Sequence, residues 1–166
     1  MRPTALKLFY ILPLVLWMCF IFTMSTGVGE PQNSRGLIED ALSLVSPRLL
    51  SSLSGYQINA LNKVLRKSAH FTEYMILALL AVRAFQFGHA KLRWRSFFGA
   101  LALSALYAVS DELHQRLVPG RSAAALDVLI DSSGAFICMG GILLWFGIKR
   151  IERELWGGME PDGGGK

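Results

Sequence analysis

Residues 6–24 read LKLFYILPLVLWMCFIFTM, and no charged residue follows Lys7 until Glu30. At about 1.5 Å of rise per residue, nineteen helical residues cover roughly 28 Å, close to the thickness of a bilayer's hydrocarbon core. Pro13 is tolerated in such a helix, because neighbouring groups re-satisfy the backbone that it frees. Arg2 and Lys7 would also suit a secretory signal peptide, but no small-x-small cleavage site closes the run, so the segment reads as a retained membrane span.

Three further apolar segments follow, and each is interrupted. Residues 69–88 contain His70, Glu73 and Arg83; residues 97–118 turn polar at SDELHQR; residues 122–148 contain Asp127 and Asp131. Their longest uncharged stretches, 74–82, 96–110 and 132–148, each fall short of the roughly 20 residues that a span requires. A soluble bundle could explain one such segment. Four in a chain of 166 residues predict an all-α integral membrane protein with transmembrane helices at 6–24, 69–88, 97–118 and 122–148.

Composition agrees: 52% of the residues are hydrophobic and 17% charged, below the roughly 25% charged residues of soluble domains. That excludes a disordered chain, a collagen-like chain and a highly charged coiled coil. The net charge of +5 invites a nucleic-acid reading. The basic residues form no long block, however, and no nucleic-acid partner is expected; they read as helix flanks attracted to anionic lipid. Cys19 and Cys138 lie inside apolar runs and are expected to be buried thiols rather than a disulfide or a zinc site.

Residues 25–68 form the long connection. Leu37, Ile38, Ala41, Leu42 and Val45 share one helical face that ends before Pro47, and Ile58, Leu61, Val64 and Leu65 recur at similar spacing. Both stretches read as short amphipathic helices, lying either on the membrane surface or against the end of the bundle. Residues 89–96 and 119–121 are short connections, and the tail at 149–166 ends in the Gly-rich EPDGGGK, which reads as disordered. Four spans place Arg2, Lys7, Lys91, Arg93, Arg95, Lys149, Arg150, Arg153 and Lys166 on one side in short segments. The positive-inside rule then puts both termini in the cytoplasm, with Arg83 snorkelling toward that surface.

Connectivity alone brings the remaining polar residues together. His70 and Glu73 open the second span; Asp111, Glu112, His114 and Gln115 close the third; Arg121 is in the turn; Asp127 and Asp131 open the fourth. In an up-and-down bundle these ends meet on the extracytoplasmic side. The i, i+3 and i, i+4 spacings set each pair on one helical face, and Gly134 continues the face of Asp127 and Asp131, allowing close approach of a neighbour. A carboxylate at the centre of a membrane helix costs roughly 2.5–3.5 kcal/mol on insertion scales. Glu73, Asp111, Glu112, Asp127 and Asp131 must therefore line a wet cavity or pair with Arg66, Lys67, His70 and Arg121. A salt-bridge cluster that only locks the helices is the alternative reading.

Residues 65–77, LRKSAHFTEYMIL, and 107–140, YAVSDELHQRLVPGRSAAALDVLIDSSGAFICMG, resemble the VanZ-like family of bacterial membrane proteins. The blocks that carry the resemblance fall on Lys67, His70, Phe71 and Tyr74; on Asp111, Glu112 and Gln115; on Pro119, Gly120 and Arg121; and on Asp127, Val128 and Gly134. Ser25 resembles a family serine that follows the first span. Position 131 is Asp where many members carry Asn. The resemblance covers roughly residues 10–148 and implies a multi-pass protein of the bacterial cytoplasmic membrane. The family takes its name from a protein linked to low-level teicoplanin resistance, so the resemblance also implies a role at the cell envelope.

Two functional expectations follow. In the first, an enzyme or enzyme-like binder works from the outer leaflet on a lipid-linked cell-wall precursor or a lipoglycopeptide. His70, Glu73, Asp111, Glu112, Gln115 and Asp127 are its candidate catalytic residues, and Lys67, Tyr74, Arg121 and Asp131 its candidate binding residues. In the second, the protein is a non-catalytic envelope-modulating module that contacts membrane lipids and docks on a partner membrane protein. No cofactor is expected. No ligand motif such as His-Glu-x-x-His is present and no metal is assigned, although Asp, Glu and His can supply hard ligands.

Overall fold

A computed structural model describes residues 3–26, 31–89, 91–117 and 125–156. These residues form six helices: α1 (Pro3–Ser25), α2 (Pro31–Val45), α3 (Pro47–Ser52), α4 (Gly55–Gln86), α5 (Trp94–Gln115) and α6 (Ala125–Trp156). Local chemistry sets their ends. Pro47 stops α2 and opens α3, where the Ser46 hydroxyl accepts the Leu49 N–H. Ser54 and Gln57 form a reciprocal capping box at the start of α4. That helix ends at Phe87 and Gly88, whose φ values of 46° and 76° lie in the left-handed region. The turn at 119–121, including Arg121, and the tail at 157–166 lie outside the described residues.

The second short helix expected within 25–68 is not a separate element. It continues into the segment expected as the second span, giving one α4 of 32 residues, roughly 48 Å long at the usual helical rise. Hydropathy changes sharply at Lys67, but no Gly or Pro stands between Tyr56 and Gln86. Lys and Arg are good helix formers, so nothing breaks the backbone ladder there.

Four long helices make the bundle, and their cross-links reveal its directions. On α1, Trp17 Nε1 donates to the Glu73 carbonyl at 2.9 Å, while Arg83 donates to the Phe9 carbonyl at 3.2 Å, so α1 and α4 run antiparallel. The Arg83 guanidinium also sits 4.6 Å from the centre of the Phe9 ring. Tyr107 of α5 donates to the Met18 carbonyl at 2.6 Å, and Ser96 at the start of α5 donates to the Phe85 carbonyl near the end of α4. Helices α4 and α6 run the same way, with Lys67 beside Asp127 and Phe71 beside Gly134. The result is the alternating up-and-down order expected from the short connections. Small buried residues (Ala78, Ala81, Ala100, Ala108 and Ala135) let the helices approach closely around Tyr74, Leu77 and Met139.

Two helices are long and apolar enough to cross a membrane, α1 over Lys7–Ser25 and α6 over Leu126–Glu154. Of the four transmembrane helices expected, two thus qualify by length and composition among the described residues, and α4 and α5 do not. His70, Glu73 and Arg83 interrupt α4, and Asp111, Glu112 and His114 interrupt α5. Helix α5 carries much of its polarity on the inside: Ser104, Asp111, Glu112 and Gln115 are buried, whereas Leu106 is 70% exposed and Phe98 and Leu113 also face out. Cys19 and Cys138 are free thiols, Cys19 exposed and Cys138 half-buried, against the expectation that both would be buried. Of the α2 apolar face, Ile38 and Leu42 are half-buried while Leu37 and Val45 are 71% and 85% exposed.

Gly134 is the tightest point between α4 and α6. A Cβ there would collide with the Phe71 carbonyl oxygen and come within 3.3 Å of the Met75 nitrogen, whereas one on Gly140 meets nothing within 4 Å. Forcing a methyl into a packed contact costs about 1–3 kcal/mol. Gly134→Ala is therefore expected to lower the detergent unfolding temperature by several degrees and Gly140→Ala to leave it unchanged. Equal melting of the two variants would show that this contact does not hold the helices together.

Candidate functional site

The continuous α4 sets Asn59, Lys63, Arg66, Lys67, His70 and Glu73 along one stripe, each three or four residues from the next on its face. The close contact at Gly134 presses the start of α6 against that stripe, and the end of α5 closes the inner side. Lys67 Nζ lies 3.1 Å from Asp127 Oδ1, with both side chains about one-third exposed at 35% and 33%. Exposed pairs of this kind contribute about 1 kcal/mol or less. One turn deeper, His70 Nδ1 lies 3.3 Å from Glu73 Oε2. Deeper still, Gln115 Nε2 donates to Asp111 Oδ2 at 2.9 Å.

These pairs surround a cavity of about 410 Å³, lined by Asn59, Asn62, Lys63, Arg66, Lys67, His70, Gln115, Asp127, Ile130 and Asp131. Its rim is cationic and its floor carries His70 and carboxylates. At that floor His70, Asp111 and Asp131 each present one donor atom, all within 4.8 Å of one another, from three different helices. Asp131 is 4% exposed, and its Oδ1 has no hydrogen-bond partner among the described residues. At the rim, burial lowers the pKa of Arg66 and the nearby Asp127 carboxylate opposes the shift. Among the described residues no ion pair engages the Arg66 guanidinium.

The structure gathers most of the expected residues, but not into one shell. His70, Gln115, Asp127, Asp131 and Lys67 line the cavity, and Asp111 sits behind its floor. Glu73 faces a smaller hollow of about 250 Å³ that also touches Met24, Ser34 and Ile38. Glu112 is buried at 5% exposure away from the cavity lining. Tyr74 is wholly buried and its hydroxyl has no hydrogen bond among the described residues, as is true of Ser25. His114 stacks on Phe22 with ring centres 4.6 Å apart. Arg121 lies outside the described residues.

Sequence reasoning missed Asn59, Asn62, Lys63 and Ile130 as lining residues. The signal was present, since counting back from Lys67 and His70 at helical spacing reaches Lys63 and Asn59. It is visible only once residues 55–86 are taken as a single helix.

Fold and site together define an all-helical, up-and-down bundle with an ionisable cleft at one end. Within that class the family model for VanZ/LLP1 matches residues 9–147, and the chain belongs to that family. No curated protein and no solved structure matches it.

Gln115 and Asp111 are both buried, at 7% and 5% exposure. Leaving a buried hydrogen-bonding group unmatched costs about 1–3 kcal/mol. Gln115→Leu should therefore melt several degrees below the wild type in detergent, and Gln115→Glu lower still because it adds a charge beside Asp111. Unchanged melting of both variants would show that the Gln115–Asp111 contact is dispensable.

Proposed function

We propose that this chain crosses the bacterial cytoplasmic membrane four times with both termini in the cytoplasm, and that the cleft binds the anionic headgroup of a lipid-linked cell-envelope molecule at the extracytoplasmic face. Support for the membrane reading comes from the inverted surface. Phe20 on α1, Leu79 on α4, Leu106 on α5 and Leu144 on α6 are all exposed, while carboxylates are buried between the helices. In water such a surface would aggregate; in lipid it is the lower-energy arrangement. At its usual rise α4 is longer than the roughly 30 Å hydrocarbon core, so Lys63, Arg66 and Lys67 come to lie at headgroup depth. The exposed apolar residues of α2 and α3, such as Leu44 and Leu49, then rest on the same interface.

The observation that carries the headgroup reading is the cationic rim over the polar cavity floor. Arg66, Lys67 and Lys63 are placed to hold a phosphate or carboxylate by charge-assisted hydrogen bonds, and Arg121 is assigned to the same grip from its sequence position. His70, oriented by Glu73, is placed to exchange a proton with the bound group. A contribution to teicoplanin resistance would then act through the envelope lipid that occupies the cleft.

Short-chain polyprenyl pyrophosphate, phosphatidylglycerol and phosphatidylcholine, titrated against the purified protein in detergent, separate the outcomes. The pyrophosphate is expected to bind tightest, and Arg66→Ala and Lys67→Ala each to weaken it about 10-fold, since hydrogen bonds to charged groups contribute about 1.5–3 kcal/mol. Equal affinity for phosphatidylcholine, or no effect of either variant, would overturn the reading. Topology has its own check. In a chain freed of Cys19 and Cys138, a cysteine at Lys63 should react with an impermeant maleimide outside the inner membrane, and one at Lys91 only after lysis. The reverse pattern would invert the proposed orientation.

A further inference from the structure

We propose that His70, Asp111 and Asp131 form a binding site for a divalent cation of the zinc or manganese class at the floor of the cavity. Their donor atoms come from α4, α5 and α6 and lie within 4.8 Å of one another. Ligands about 2.0–2.2 Å from a shared ion stand roughly 3–4 Å apart, so small side-chain movements close the set around an ion.

Charge gives an independent reason. Asp131 is 4% exposed and its Oδ1 has no hydrogen-bond partner among the described residues. Among the described residues neither Asp111 nor Asp131 forms an ion pair with a Lys or Arg. Two buried carboxylates this close are electrostatically costly unless a cation, a protonated His70 or a metal ion, stands between them. A bound divalent ion satisfies both.

The surrounding shell suits a metal. Gln115 Nε2 holds Asp111 Oδ2 at 2.9 Å, and Glu73 Oε2 stands 3.3 Å from His70 Nδ1, close enough to accept that nitrogen's proton in a hydrogen bond once the other ring nitrogen binds a metal. One imidazole with two carboxylates favours zinc or manganese over the all-oxygen sets of calcium and magnesium. Three protein ligands also leave open coordination positions. On the headgroup reading above, on which this last step rests, those positions face the cavity and accept a phosphate oxygen. The ion then turns a repulsive acidic floor into one that receives an anion.

The test uses the full chain in detergent, stripped with chelator and loaded with zinc or manganese chloride alone, without lipid. Gel filtration followed by elemental analysis should find a single ion per chain, with a raised melting temperature. Asp131→Asn and His70→Gln should lose both the ion and the rise, while Lys149→Ala, outside the cavity lining, keeps them. Pulsed electron paramagnetic resonance of the manganese-loaded wild type should report a coupled histidine nitrogen, a readout that needs no variant to fold. The proposal is overturned if the wild type retains no more metal than Asp131→Asn, or if the bound manganese senses no histidine nitrogen. Because the probe is the metal alone, a negative result here and a negative lipid titration are separate findings.

Discussion

The Phe71 carbonyl lies so close to Gly134 that no side chain fits between them, and the cleft is built on that contact. It brings α6 against α4 with their backbones nearly touching, in the small-residue manner by which helices associate without a hydrophobic driving force between them. Asp127 and Asp131 precede Gly134 on the same helical face by seven and three residues. Docking the glycine therefore fixes where both carboxylates meet the α4 stripe. Lys67 reaches Asp127, and His70 stands level with Asp131. Helix α5 completes the set from the other side, held by Tyr107 on the Met18 carbonyl and by the buried Ser104 and Ala108.

That geometry also decides which residues are affordable inside the bundle. Ionisable groups in an apolar surrounding are tolerated when they face one another or a wet cavity. Here they follow a gradient. The outermost pair, Lys67 and Asp127, is one-third exposed; His70 and Glu73 are more enclosed, at 21% and 14%; Asp111 and Asp131 are nearly sealed. Electrostatic interactions strengthen as water is excluded, so the inner members dominate the energetics and the outer ones the selection of what enters.

Much of this was legible in the sequence, and the parts that were not share a cause. The alternation of the helices and the meeting of His70, Asp111, Gln115, Asp127 and Asp131 follow from connection lengths and i, i+4 spacing, and the structure gathers them at one end. The role of Gly134 as a contact point was legible for the same reason. Hydropathy misled where it was treated as a boundary. It divided α4 at Lys67, which hid Asn59, Asn62 and Lys63 as lining residues. It also counted the interrupted segments of α4 and α5 among the spans, whereas by length and composition only α1 and α6 qualify among the described residues. A window average cannot distinguish a helix that is polar on one buried face from a helix that is polar throughout. Cys19 was misjudged for the converse reason, since an apolar neighbourhood in sequence corresponds here to an outward-facing surface.

A cationic rim above an acidic floor is a strained way to bind an anion and a strained way to bind a cation, unless both bind together. Arg66 and Lys63 are the rim cations without an ion-pair partner among the described residues, Lys67 being engaged by Asp127. The floor has two buried carboxylates and a histidine, with the nearest lysine committed elsewhere. An anion alone would meet attraction at the rim and repulsion one turn below. A cation alone would pass three positive side chains to reach its ligands. A phosphate coordinated from beneath by a divalent ion and gripped from above by Arg66 satisfies each layer with its opposite charge. The order of charges from rim to floor, drawn from α4, α5 and α6, is what supports the proposed single site for a metal-bound anion.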